Sequence, residues 1–211
     1  MTTVAILGAG SVGCALGERL ISAGVPARFG VRDPDAAIDR MSGPLAGTPV
    51  LTPTKAAAEA DVILLAVPAA AAVEAVSGLP DRAGRILVDC TNPLRWQDGP
   101  VWTPPPDGSV AQALAAAFPE TSVVKGFNHF GAEIQGDPTS AGGPVDAFFA
   151  GDDEVAKSRV MDLAAKMGFH AHDAGPLRNA ALLENLAVLW IHLAMMSGIG
   201  RHFSFRIERQ P

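Results

Sequence analysis

The 211-residue chain contains no tyrosine and only two cysteines, Cys14 and Cys90. Without tyrosine, the Tyr-x-x-x-Lys proton donor of the short-chain dehydrogenases is unavailable, and that class is excluded even on a related fold. Two thiols cannot build a disulfide framework; they point to a reducing compartment, so a cytoplasmic protein is expected. Charged residues are scarce at 18%, and 22 acidic against 16 basic side chains give a net charge of −6. That balance argues against nucleic acid or an anionic membrane as a partner. Long apolar runs are also missing. The most hydrophobic window, 180–198, carries Glu184, Asn185 and His192, and reads as a buried helix rather than a membrane span. The amino-terminal Met-Thr-Thr-Val-Ala-Ile-Leu-Gly has no basic region ahead of its short apolar stretch, unlike a signal peptide.

What the chain does have is 48% hydrophobic residues, arranged as short β-branched runs alternating with alanine-rich stretches. This predicts βαβ units. Strands are expected at Thr3–Leu7, Ala27–Val31, Val50–Leu51, Asp61–Val67, Arg85–Asp89, Ser122–Gly126 and Val145–Ala150. Helices are expected at Val12–Ala23, Pro34–Met41, Thr54–Glu59, Ala69–Ser77, Val110–Phe118, Asp152–Met167 and Leu177–Ser197. Runs such as Val62-Ile63-Leu64-Leu65-Ala66-Val67 suit parallel strands covered on both faces. The fold class is therefore α/β, a Rossmann-like, doubly wound, mostly parallel sheet with a short C-terminal helical extension. Two polar, glycine- and proline-rich segments, 93–108 and 131–144, leave carboxyl ends of strands and are expected to be lids.

Gly8-Ala9-Gly10-Ser11-Val12-Gly13 follows the first strand and opens the first helix. Gly8 permits the tight turn, Gly10 lets the backbone approach a pyrophosphate, and Gly13 lets helix and strand pack closely. The phosphates then meet free N–H groups at the positive end of the helix. Arg32 follows the second strand, where a guanidinium can clamp a 2′-phosphate, so NADP is expected over NAD. Asp33, just before Pro34, is expected to cap the next helix.

Later strands end in Val67-Pro68, Asn92-Pro93 and Asn128-His129, which should converge on the nicotinamide end of the same crevice. His129 is the only histidine there and a candidate for a ligand or catalytic contact, with no catalytic residue firmly assigned. Lys125 could act as an acid, although strand-end lysines usually cover a surface. Cys90 reads as a small buried residue, and His170 with His172 fall short of a metal's ligand set.

With the glycine turn, the segments Thr91-Asn92-Pro93-Leu94, Lys125-Gly126-Phe127-Asn128 and Asp173-Ala174-Gly175-Pro176-Leu177 resemble the coenzyme F420-dependent NADP oxidoreductase family. The likeness extends over nearly the whole chain and includes Glu184-Asn185-Leu186, Gly198-Ile199-Gly200 and Phe203-Ser204-Phe205. The resemblance implies hydride transfer between NADPH and a small-molecule acceptor, either the deazaflavin coenzyme F420 or a flavin, FMN or FAD. It implies NADP(H) on Gly8, Ala9, Gly10, Ser11, Val12, Gly13 and Arg32, a nicotinamide pocket near Val67, Pro68, Asn92, Pro93 and Asn128, and a homodimer. Residues 1–175 would then be the NADP-binding domain, with 176–211 a helix and tail closing the acceptor pocket or a dimer interface. The chain departs from the family pattern at Val31, where a Ser or Thr donor is usual, at the plain Ala9-Gly10, and around His129.

Two other functions fit parts of the sequence. One is an NADPH-dependent reductase of a small imine or keto substrate, whose proton donor would be His129 or Lys125. The other is a non-catalytic NADP(H)-binding module. Arg178, Arg201, His202, Arg206 and Arg209 either attract an acceptor's anionic tail or form a basic surface end.

Overall fold

The computed structural model describes residues 2–39, 41–79 and 83–208, so Arg209 lies outside the described residues. In chain order the strands are β1 (Val4–Leu7), β2 (Ala27–Gly30), β3 (Val50–Leu51), β4 (Val62–Leu65), β5 (Ile86–Asp89), β6 (Leu94–Trp96), β7 (Pro100–Trp102), β8 (Ser122–Lys125), β9 (Asp146–Gly151) and β10 (His170–Asp173). The helices are α1 (Ser11–Ser22), α2 (Pro34–Ile38), α3 (Pro53–Ala58), α4 (Ala72–Ser77), α5 (Val110–Ala117), α6 (Ala132–Gly136), α7 (Glu154–Lys166) and α8 (Ala180–Met195).

The described residues form an eight-stranded sheet in the order β10-β9-β8-β5-β4-β1-β2-β3, with β6 and β7 as a separate hairpin. All neighbours in the sheet run parallel except β8 and β9, which are antiparallel. Alternation within the apolar strands splits the core into two layers. Val4 and Ile6 face one layer with Leu16 and Leu20 of α1 and Val160 and Leu163 of α7. Ala5 and Leu7 face the other with Ala56 of α3, Val76 of α4 and Leu114 of α5. Leu177 and Ala180 belong to this second layer, so the start of the C-terminal segment packs onto the sheet.

Local chemistry sets the helix ends. Asp33 accepts from the Ala36 amide and caps α2, as expected. Ser109 caps α5 through the Gln112 amide, and Asp153 caps α7 through Val155 and Ala156. At the far end of α1, Gly24 takes φ +70°, and Val25 N bonds back to Leu20 O at 2.9 Å, a glycine-terminated stop.

Several expectations need correction. The segment 131–144 is not a free lid: it contains α6, with Ile134 and Gln135 buried, and Gly136 lies against Ala15 of α1. The segment 93–108 folds as the β6–β7 hairpin, turning at Asp98 (φ 52°) and Gly99 (φ 140°), and it is tied down through Trp102. The last helix is shorter than expected: Leu177–Asn179 forms a 3-10 turn before α8.

Candidate active site

The register of the sheet brings the ends of five strands into line. Gly30, Leu7, Leu65, Asp89 and Lys125 are successive cross-strand partners in one row. The residues just beyond them, Val31 and Arg32, Gly8, Val67 and Pro68, Thr91 and Asn92, and Asn128, therefore share one edge of the sheet. The chain moves outward from β1 in opposite directions for β2–β3 and for β4–β5–β8, so the crevice lies over β1 and β4.

The three glycines of the turn have different reasons to be glycine. Gly8 has φ +106°, and a Cβ there would sit 2.4 Å from the Ala66 carbonyl oxygen, because β1 and β4 end so close together. A Cβ on Gly13 would be 2.1 Å from Gly8 O, so the first turn of α1 rides directly on the loop that precedes it. Gly10 meets no protein atom within 4 Å of its would-be Cβ and is exposed. No contact inside the protein calls for glycine there, and the surface above it is open. Gly10 is also the N-cap of α1 and supplies no side-chain cap, and the first turn of α1 carries no acidic residue. A 12-residue helix thus presents its positive end, uncapped, under an open surface. Backbone donors in that arrangement suit a pyrophosphate. Ser11 and Arg32 are exposed, Val12, Val67 and Asn92 half-buried, Pro68 exposed, and Ala9, Pro93 and Asn128 buried. Arg32 follows β2 by two residues, at the same edge of the sheet as the glycine turn.

The other side of the crevice is polar and sealed. Asn128 Nδ2 donates to Asn92 Oδ1 at 2.8 Å and to the Leu183 carbonyl at 3.0 Å, while Asn92 Nδ2 donates to the Asn128 carbonyl at 2.8 Å. The two asparagines thus clamp the ends of β5 and β8 together. Asn128 Oδ1, only 3% exposed as part of its residue, and Thr91 Oγ1 have no protein partner. Buried acceptors without a donor cost about 1–3 kcal/mol, so they are suited to a ligand N–H or O–H.

Behind the asparagines lie three charged side chains with no exposure: Asp89, Lys125 and Glu184. Lys125 Nζ donates to Asp89 Oδ2 (2.8 Å), the Thr91 carbonyl (2.5 Å) and Glu184 Oε1 (3.2 Å). Glu184 also accepts from the Val110 amide (3.0 Å) and the Trp102 indole (2.9 Å). Burial pushes the Glu184 carboxyl above its usual range, against the opposing pull of Lys125. Lys125 is therefore not the surface lysine expected of a strand end. Glu184 and Asp89 were not anticipated as site residues; the available signal was a lone carboxylate, Glu184, inside the most apolar window of the chain.

His129 does not line the crevice. It is 2% exposed, packed against Phe130 and Phe148, with Nε2 3.3 Å from the Asp146 carbonyl. Burial lowers its pKa from 6.5 to about 4, so it is neutral at pH 7. Its Nδ1, like Asn128 Oδ1, is buried without a hydrogen-bond partner. Cys90 is buried, as expected, and burial followed by the neighbouring Asp89 pushes its thiol far up, which makes it a poor nucleophile.

A glycine turn at the switch point of a doubly wound sheet, feeding an uncapped helix, defines a Rossmann-type dinucleotide-binding protein. Comparison with known proteins narrows the class. Residues 3–93 match the family model "NADP oxidoreductase coenzyme F420-dependent". An F420-dependent NADP reductase of Methanothermobacter thermautotrophicus is 30% identical over 100% of this chain and 96% of its own length. A second, from Methanocaldococcus jannaschii, is 33% identical over 65% of this chain and 64% of its own length, just under two thirds of that relative. The crystal structure of an Arthrobacter sp. FB24 protein assigned as an F420-dependent NADP-reductase superposes with a TM-score of 0.86 at 31% identity, covering 98% of this chain and 99% of that one. The chain belongs to the coenzyme F420-dependent NADP oxidoreductase family.

Proposed function

We propose that the protein transfers a hydride between NADPH and a deazaflavin of the coenzyme F420 type. The observation that carries this reading is the open surface over Gly10 at the uncapped start of α1, with exposed Arg32 at the neighbouring strand end. NADPH supplies the hydride and is left as NADP⁺, while the acceptor ring takes its accompanying proton from solvent. The protein's part is to bind and orient. The amides of Ser11, Val12 and Gly13 hold the pyrophosphate, Arg32 holds the 2′-phosphate, and the Asn92–Asn128 clamp bounds the nicotinamide end. A ring-to-ring hydride transfer needs no side-chain acid, and neither candidate is free to serve as one: His129 is buried and neutral, and Lys125 is fully engaged by two carboxylates and a carbonyl. The same facts weigh against an imine or keto reductase built on those two residues.

The test is anaerobic oxidation of NADPH, followed optically, with the deazaflavin, FMN and FAD as alternative acceptors and NADH as the control. Rapid turnover of NADPH with the deazaflavin is the expected result. Turnover with FMN or FAD alone would replace the acceptor, and NADPH binding without turnover would leave a binding module. Among the described residues no helix is long and apolar enough to cross a membrane, and the reading places the protein in the cytoplasm. It also includes a homodimer through the outer face of α8 and its C-cap, where Leu182, Leu189, Met195 and Met196 are exposed. A monomer in light scattering at micromolar concentration would remove the dimer from the reading.

A further inference from the structure

We infer that the buried Asp89–Lys125–Glu184 cluster is a positioning device for the nicotinamide end of the cleft, with Lys125 and Glu184 as its positioning residues. The inference rests on the proposed NADPH site and assigns a role to three side chains that no step of the hydride transfer touches. Charges cost several kcal/mol each to bury, and an apolar replacement of similar volume is often as stable. The cluster must therefore be understood by what it connects. Lys125 Nζ holds the carbonyl of Thr91, the residue immediately before Asn92. Glu184 follows Leu183, whose carbonyl receives Asn128 Nδ2. Asp89 Oδ1 accepts from the Thr91 amide at 2.9 Å, so the Thr91 backbone is held from both sides. Asn92 thus adjoins one charge-assisted anchor, and Asn128 is bonded to the residue that adjoins another.

The same carboxylate gathers elements distant in the chain. Glu184 brings together the end of β8 through Lys125, the β6–β7 hairpin through the Trp102 indole, and the start of α5 through the Val110 amide. Three donors converge on its two oxygens, an arrangement only a carboxylate satisfies. In a Glu184→Gln variant the amide NH₂ faces either the Trp102 indole N–H or the Val110 N–H and Lys125, so donor meets donor in both orientations. The orphan acceptor Asn128 Oδ1 is the atom this framework aims, because both Asn128 amide protons are already committed.

Three variants test the assignment. Glu184→Gln breaks the central acceptor. Trp102→Phe, at a half-buried position, deletes a single donor to Glu184 and leaves the sheet untouched. Asp89→Asn with Lys125→Met keeps the cluster's formal charge at one net negative, because one acid and one base are removed together, yet it releases the Thr91 carbonyl. For each, the NADPH dissociation constant, the fluorescence lifetime of bound NADPH and the single-turnover hydride-transfer rate are measured. The phosphate site is remote, so affinity should stay within about twofold. The lifetime should shorten as the nicotinamide loosens, and transfer should slow by roughly 10²-fold in the Glu184→Gln and double variants, as misplacement of reacting atoms predicts. Trp102→Phe should shift both readouts in the same direction, but less. Unchanged lifetime and rate in folded variants would overturn the inference, as would an affinity loss matching the rate loss, which indicates general collapse. If the double variant and Glu184→Gln fail to fold, Trp102→Phe decides between these outcomes by itself. Wild-type protein that binds no NADPH would instead overturn the proposed function.

Discussion

The strand ends of the first half of the sheet and those of the second half treat their polar groups in opposite ways. After β1 the chain leaves backbone donors at the start of α1 uncapped, under an empty surface guarded by a glycine that no protein contact requires. After β5 and β8 it does the reverse: almost every polar group is consumed internally, by an asparagine clamp and a fully buried charge cluster. The first arrangement suits a strongly hydrated, doubly charged group, which brings its own anions to a fixed dipole. The second suits an uncharged ring, for which shape and a few aimed acceptors matter more than field. One sheet edge therefore carries an electrostatic half suited to binding an anion and a rigid half suited to orienting a ring.

Substitutions that confuse or separate the halves should differ in size and kind. The largest effect is expected at Gly8. An alanine there must adopt φ +106° and meets the Ala66 carbonyl at 2.4 Å, so stability should fall by about 4 kcal/mol in chemical denaturation, with cofactor binding lost alongside. Next is the acid sensitivity of the second half. His129 has a folded pKa of about 4, below its unfolded value near 6.5, so the unfolded chain takes up a proton that the folded chain refuses. Its contribution is complete above pH 6.5 and is lost as the pH falls toward 4, about 3 kcal/mol in all. A His129→Gln variant should flatten denaturation midpoints over that window. The residual slope would come from the carboxylates that the fold shifts, with Glu133, Asp137, Asp146, Asp153 and Asp173 held low by their hydrogen-bond partners and Glu184 pushed up by burial.

Third is Arg32→Ala, which should weaken NADPH by about 2 kcal/mol while leaving NADH nearly unchanged, as loss of a charge-assisted clamp on the 2′-phosphate requires. Isothermal titration with both nucleotides reads this directly. The smallest effect, and the sharpest, is Gly10→Ala. Melting should be unaltered because the new Cβ touches no protein atom, yet NADPH affinity should fall about tenfold, or 1.4 kcal/mol. Equal losses of stability at Gly8 and Gly10 would erase the distinction between a glycine the fold needs and a glycine the ligand needs.

The open half was legible in the sequence and the sealed half was not, for a physical reason. The glycine turn, its strand and its helix are contiguous, so spacing alone reports the geometry, and every strand from β1 to β5 fell within a few residues of its expected place. The cluster joins residues 36 and 59 positions apart in the chain, and no local pattern marks such a meeting. Lys125 looked like a surface residue because strand-end lysines usually are. β10 escaped because His-Ala-His-Asp has no β-branched residue, and it is held by its pairing with β9 rather than by propensity. α6 and the hairpin were hidden in glycine- and proline-rich segments that read as loops, and the reversal of β9 against β8 is set by the connection through α6. His129 was misplaced because the ladder ends at Lys125, four residues earlier, after which the chain turns inward at Phe127 (φ 55°).

The most direct test of the account uses NADPH carrying deuterium at the transferred C4 position, mixed anaerobically with the protein and the oxidised deazaflavin. The account predicts that NADPH is consumed and that the reduced deazaflavin gains one deuterium at its ring carbon, retained in ordinary water. Consumption of NADPH with the label lost to solvent, or no consumption at all, would contradict it.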